Sequence, residues 1–378
     1  MDGSKIRNFS MGLIAATLLL AAAVPGFAQS GDYQARLSQY TRAHDAYEEE
    51  ASSYWDQVVD KRRLRNAKRR ANEPITASDY VLTQPPVYAG PPRPIDPNAP
   101  PGPQPGERPP IPVLADFLKA ANEQFGFVPD RPSEPDFKRA YAQAAGAAGL
   151  TRDQIVGVYA FETGGNGTYD MQAGVSVTRP NAISPAIGYN QLLSTNSVSI
   201  LAEHGGGLLA VLRQKSKALT GPPKIALERK IDAFKRMIAY SRSVPPTWNE
   251  FDKLAKTTPG GLGIHAAILD RDIGPLLQVQ KLINSVRFAR TKHYLAPLSA
   301  AELELMNLTG DGNGIDMVTM PPDLRAQVPT ANFFQQSGYE RNPVARRTGV
   351  VGNLIADIES KMARGAQSPG ARDLAAAF

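Results

Sequence analysis

Glu162 closes an apolar run, "IVGVYAFETGGNG" over residues 155–167, after which the chain breaks into glycines. Ile155, Val158, Tyr159 and Glu162 stand at offsets of zero, three, four and seven, so on a helix the carboxylate shares a stripe with core residues. The last turn of a helix is its negative pole, and an apolar stripe penalises charge; both effects raise the proton affinity of the acid. That suits a general acid, which must hold a proton near neutral pH and deliver it to a leaving oxygen. Gly164, Gly165 and Gly167 would keep side-chain bulk away from an approaching substrate. A plain helix end, Glu followed by a glycine stop, accounts for the same residues without chemistry.

A second segment, "ISPAIGYNQLL" over 183–193, sets Gly188 before a polar triplet, Tyr189, Asn190 and Gln191, and the start of an apolar helix. Together "FETGG" and "AIGYNQLL" resemble the two leading motifs of the soluble lytic transglycosylases, within the lysozyme-like superfamily. In that family a Glu followed by Ser or Thr closes a helix and is the catalytic acid and base. A Gly-Leu-Met-Gln segment preceded by Ala then lines the sugar groove. The matching residues are Glu162 with Thr163, then Ala186, Gly188 and Gln191. Tyr189 and Asn190 replace the family's Leu and Met and make that wall more polar. Ser184 carries over as a partner of the acid, although it lies nearer the motif than the family's serine, whose ungapped place falls on Ala182. The family's third motif, of Ala-Tyr-Asn-Ala-Gly type, has a distorted counterpart in "LELMNLTGDGNG", residues 303–314, and Tyr339 in "FFQQSGYERNPVA" is the candidate groove tyrosine. The resemblance spans about 150–205, extends loosely to about 345 and leaves 29–113 outside.

The resemblance implies cleavage of the bond between N-acetylmuramic acid and N-acetylglucosamine in peptidoglycan. Glu162 would protonate the glycosidic oxygen, then as carboxylate take the proton from the muramyl C6 hydroxyl, closing a 1,6-anhydro ring without water. A hydrolytic muramidase usually needs a second carboxylate; Asp170 and Glu203 are the acids nearest in sequence, and neither belongs to a motif. The alternative from another class is an inactive lysozyme-like protein that binds peptidoglycan or scaffolds the envelope. No cofactor or metal is expected: there is no cysteine, and His44, His204, His265 and His293 are scattered without a His-Glu-x-x-His pair. "DGNGID", residues 311–316, reads as a turn lacking the bidentate Glu of a calcium loop.

The elements that must position Glu162 follow from pattern. Thr151 and Gln154 have capping-box spacing and start its helix. Helical patterns recur at about 195–218, 222–242, 261–290, 299–308 and 349–363, with strand character confined to "NGTYDMQAGVSVTRPNAISPA". The expected fold is mainly α, an α+β lysozyme-like domain over 114–363 with a loose tail over 364–378. Ahead of it, Tyr33, Leu37, Tyr40, His44, Tyr47, Ala51, Tyr54 and Val58 form a heptad seam on an N-terminal helix, 29–75, that runs into the basic stretch "KRRLRNAKRR". The seam fits docking on the chain's own domain or on a second copy, or an aromatic surface for sugar rings. The basic stretch fits a solvated helix face, or anionic lipid or polymer. Residues 76–113 form a proline-rich linker, unable to be helix or central strand.

Lys5 and Arg7 precede a short apolar run that Pro25 ends, which reads as a signal peptide over 1–28 cut after Ala28. Export and the absence of cysteine point to the bacterial periplasm. The 378-residue chain is 42% hydrophobic with net charge +6, consistent with anionic cell-wall polymer as partner and, once exported, not with nucleic acid.

Overall fold

The computed structural model describes residues 25–98, 110–176 and 179–378, with side chains from residue 32 onward. The expected signal peptide lies outside the described residues except for its last four, which belong to the first helix. The middle of the proline-rich segment is outside them as well.

The protein is mainly helical. In chain order the helices are α1 Pro25–Arg70, α2 Leu114–Phe125, α3 Glu134–Ala147, α4 Arg152–Thr163, α5 Ser194–Lys217, α6 Gly221–Ser241, α7 Trp248–Thr257 and α8 Pro259–His265. They continue with α9 Gly274–Thr291, α10 Ala300–Thr309, α11 Asp311–Val318, α12 Pro322–Arg325, α13 Gln336–Glu340, α14 Pro343–Thr348, α15 Val351–Gly365 and α16 Pro369–Ala376. Among the described residues no helix is long and apolar enough to cross a membrane. The expected strand segment reduces to isolated bridges, Gln172 to Ile187, Ser176 to Arg179 and Ile187 to Leu192. Pro180 and Pro185 lack the N–H that a longer ladder requires. The single helix expected over 261–290 is two, because the Asp270 carboxylate accepts from the Asp272 and Ile273 N–H at 2.9 and 3.2 Å and restarts the chain as α9.

Two compact units divide the described residues, one of 25–52 with 86–98 and the other of 53–85 with 110–176 and 179–378. In the first, the middle of the tyrosine seam is packed by a piece of the expected linker. The Tyr88 ring lies 6.2 Å from Tyr40, 5.7 Å from His44 and 5.5 Å from Tyr47, edge-on to each. The Tyr88 hydroxyl donates to the Pro91 carbonyl at 2.7 Å.

In the second unit the basic stretch is largely a docking device. Arg65 is buried, donates to the carbonyls of Asp79 at 2.9 Å and Asn332 at 3.1 Å, and lies over the Tyr80 ring at 4.4 Å. Arg62 donates to the carbonyls of Asn332 and Phe334 at 3.1 and 2.7 Å, and Lys68 pairs with buried Asp79 at 2.8 Å. Asn332 in turn holds the Val81 backbone in both directions, at 3.0 and 2.7 Å. Residues 77–81, expected as linker, are therefore part of this unit, and only the outer side chains such as Arg63 meet the solvated-face expectation.

Helix α4 lies among α10, α15, α16 and α3. Its start is the expected capping box: Thr151 Oγ1 accepts from the Gln154 N–H at 3.2 Å, and Gln154 Oε1 accepts from the Thr151 N–H at 2.9 Å. Gly157 lets the neighbours close in, since a Cβ there would stand 2.6 Å from Ala300 Cβ and 3.3 Å from Met362 Sδ. The expected loose tail is ordered. Helix α16 buries Ala371 and Leu374, and Lys138 of α3 reaches Asp373 at 3.9 Å.

Candidate functional site

Glu162 sits in the last turn of α4, half-buried. Its Oε1 accepts a hydrogen bond from Asn307 Nδ2 of α10 at 2.8 Å. One turn earlier on α10, Glu304 is fully buried, within hydrogen-bonding reach of the Glu162 carboxyl. Lys281 of α9 is close enough to act on both, and also pairs with Asp311 at 3.7 Å. Burial is the largest influence on Glu162 and raises its pKa from the ordinary carboxyl value to about 7, although Glu304, Asn307 and Lys281 each favour its charged form. Burial and the neighbouring Glu162 push Glu304 well above the usual carboxyl range.

Glu162 therefore has the proton affinity expected from its stripe, and a second carboxyl beside it that sequence reasoning did not single out. Asp170 and Glu203, the acids nearest in sequence, are engaged elsewhere: Asp170 pairs with Arg131, and Glu203 lies 3.7 Å from His204. A signal for Glu304 was present in "AELELMNLT", where an acid stands between leucines within the distorted third motif. Of that segment, Asn307 supplies the polar contact to the acid.

The glycines after Glu162 have a different use from the one expected. A Cβ on Gly165, whose φ is +80°, would stand 2.1 Å from the Gly365 carbonyl oxygen, and one on Gly167 would stand 2.4 Å from Thr163 Cβ. The turn is clasped by the start of α16, where Gly370 N–H donates to Asn166 Oδ1 at 3.2 Å and Ser368 Oγ, just before the helix, donates to the Gly164 carbonyl at 3.3 Å. Only Gly164 of the three faces open space.

Several residues expected to touch substrate are engaged within the protein. Thr163 is buried, and its hydroxyl donates back to the Tyr159 carbonyl at 2.6 Å, closing the helix. Tyr189 is fully buried, with its hydroxyl on Glu134 and its ring 4.9 Å from Tyr159. Asn190 is also fully buried; its Oδ1 accepts from the Tyr141 hydroxyl at 2.7 Å and its Nδ2 donates to the Gln278 carbonyl at 3.1 Å. The pair replacing Leu and Met is thus a core network, because buried polar groups need partners, and not a groove wall. Gly188, at φ +88°, supports the same packing: a Cβ there would stand 2.8 Å from Gln278 Oε1. Gln191 is half-buried, takes φ +43°, and donates to the Met171 and Gly188 carbonyls at 3.0 and 2.9 Å. Ser184 is half-buried and accepts from the Ala186 N–H at 3.1 Å, an internal turn bond with no contact to the acid. Tyr339 is buried against Trp55 and Phe334 at 5.7 and 6.1 Å between ring centres, part of the α1 docking surface. What connects the second motif to the acid is the contact of Tyr189 with Tyr159, one turn before Glu162 on α4.

Buried His265 lies 2.9 Å from both Ser197 Oγ and the Pro185 carbonyl, and burial lowers its pKa to about 4. The neutral ring then donates from Nε2 to the carbonyl, which leaves Nδ1 to accept from Ser197. Among the described residues no three or more His, Cys, Asp or Glu gather as metal ligands. The segment 311–316, read as a turn, instead opens helix α11, and Asp311 accepts from Ser285 Oγ at 2.6 Å.

No protein-family model, curated protein or solved structure matches the chain.

Proposed function

We propose that the protein is an exported peptidoglycan lytic transglycosylase with a lysozyme-like catalytic domain, and that Glu162 is its general acid and base. The observation that carries this reading is the state of Glu162: a half-buried carboxyl at a helix end, of pKa raised to about 7, held by the Asn307 amide. Such a group exchanges a proton with little cost in either direction at neutral pH. In the first step the glycosidic oxygen takes the Glu162 proton while the muramyl C1–O bond breaks. In the second, the C6 hydroxyl gives its proton to the Glu162 carboxylate as its oxygen bonds to C1. The acid ends as it began, and no water is consumed.

The position of Glu304 agrees with this route. Hydrolytic glycosidases hold their two carboxyl groups roughly 5–9.5 Å apart, with the scissile bond between them. Glu162 and Glu304 act on each other as direct neighbours, unlike a pair set on opposite sides of a scissile bond.

A second reading, a glycan-binding or scaffolding protein that does not cut, is favoured by the burial of Tyr189, Asn190 and Tyr339. The test is release of soluble material from purified bacterial cell walls. The enzyme reading expects release by wild-type protein and none by Glu162→Gln. Retention on the wall with no release by wild type supports the scaffold.

A further inference from the structure

We propose that Glu304 is a positioning residue held as a neutral carboxylic acid, donating its proton to Glu162 and so setting how readily Glu162 gives up and regains its own. The inference rests on Glu162 being the working acid.

The geometry leaves Glu304 few alternatives. It is fully buried and neither of its oxygens meets a well-aligned N–H or O–H donor, so as a carboxylate it would have only the nearby Asn307 amide and Lys281 to offset its charge, and burial outweighs both. Asn307, one turn along the same helix, directs its amide to Glu162 at 2.8 Å. As a carboxylic acid, Glu304 loses its charge and gains a donor, and the acceptor in reach is Glu162.

The other charged groups around the pair do not reverse this. On α9, Lys281 acts on both carboxyls but is shared with Asp311 at 3.7 Å. On α15, the Lys361 ammonium lies over the Phe161 ring at 5.2 Å. On α16 and α3, Asp373 and Lys138 face each other at 3.9 Å on the Tyr159 side of α4. Tyr141 of α3, the remaining titratable group that senses Glu304, is buried and donates to Asn190. Two carboxyls in contact do not ionise together in such surroundings. Glu304 keeps its proton, and the pair exchanges the other through Glu162, the half-buried member.

The consequence is a balance. Burial alone would leave Glu162 too reluctant to ionise to act as a base in the second step. A hydrogen bond from a neutral acid favours the carboxylate without adding a charge.

The test is titration of the Glu162 carboxyl by carbon NMR of carboxyl-labelled full-length protein without substrate, in wild type, Glu304→Gln and Glu304→Met. Gln keeps an uncharged donor, and the midpoint of Glu162 stays within about half a pH unit of wild type. Met removes the donor, and the midpoint rises by about one unit or more. A fall of the Glu162 midpoint in Glu304→Gln overturns the proposal, since it would mean that a Glu304 charge had been repelling Glu162. An unchanged midpoint in Met overturns it also. Glu304→Gln answers the question of sign even if the Met variant does not fold. Because no substrate is used, failure here is separate from a lack of cell-wall cleavage, which would count against the enzyme reading itself.

Discussion

Asn307 Nδ2 donates to Glu162 Oε1 at 2.8 Å across the contact between α10 and α4, joining residues 145 positions apart in the chain. The bond favours the ionised form of Glu162, because an amide N–H is a better partner for a carboxylate than for a carboxylic acid. Asn307→Leu should therefore raise the Glu162 midpoint above its value of about 7. The alkaline limit of activity should follow upward by roughly half a unit to one unit. A pH–rate profile of the two proteins on cell-wall substrate checks this; a downward shift would count against the assigned donor role.

Glu162 also makes stability depend on pH, with a definite sign. Its folded-state pKa lies above the ordinary value, so the folded chain binds the proton more tightly than the unfolded one. Stability from this group is complete below about pH 4.5 and declines as pH rises towards about 7, the window set by the two values. The slope is at most about 1.4 kcal/mol per pH unit. Glu162→Gln carries no such penalty, so it should be more stable than wild type at pH 8, with the advantage fading towards pH 4.5. Urea unfolding across that range measures it. The gain would be an instance of an acid kept for chemistry at the expense of stability.

The glycine turn gives a paired comparison. Gly164 and Gly165 both take positive φ, +71° and +80°, but a Cβ on Gly164 meets nothing within 4 Å whereas one on Gly165 stands 2.1 Å from the Gly365 carbonyl oxygen. Gly164→Ala should cost about 1 kcal/mol, from backbone strain alone. Gly165→Ala adds a clash with backbone that cannot move without parting α4 from the end of α15, and should cost about 3 kcal/mol or more. Equal losses in thermal unfolding would contradict the clasp.

Of the basic stretch, Arg65 is fully buried and Arg63 is exposed, paired with Asp60 at 3.1 Å. Arg65→Ala leaves the Asp79 carbonyl without its donor and opens space under the Tyr80 ring, at a cost of about 3 kcal/mol. Arg63→Ala should change stability by no more than about 0.5 kcal/mol, as exposed ion pairs contribute little. Binding of the full protein to anionic vesicles or polymer should be no weaker in Arg65→Ala that remains folded, because that guanidinium does not face solvent.

The parts of this structure that were legible in the sequence are those fixed by near neighbours. Thr151 and Gln154 announced the start of α4, and the position of Glu162 on an apolar stripe announced its altered proton affinity. What was not legible depends on contacts between distant segments. Glu304 becomes Glu162's neighbour only when α10 packs on α4, and nothing local pairs them. The glycines at 165 and 167 look the same in sequence whether they admit a substrate or a helix end. Tyr189 and Asn190 look like polar groove residues until Glu134, Tyr141 and Gln278 arrive from elsewhere to bond them. In the tyrosine seam the spacing left open docking within the chain, a second copy or a sugar surface, and only the fold showed that Tyr88 packs on Tyr40, His44 and Tyr47.

The most direct test of the central claim is mass spectrometry of the glycan ends produced from purified peptidoglycan by wild-type protein and by Glu162→Gln. Acid and base action by one carboxyl predicts 1,6-anhydro-muramyl ends from wild type, lighter than reducing ends by one water, and none from the variant. Reducing ends from wild type, or anhydro ends from Glu162→Gln at the wild-type rate, would contradict it.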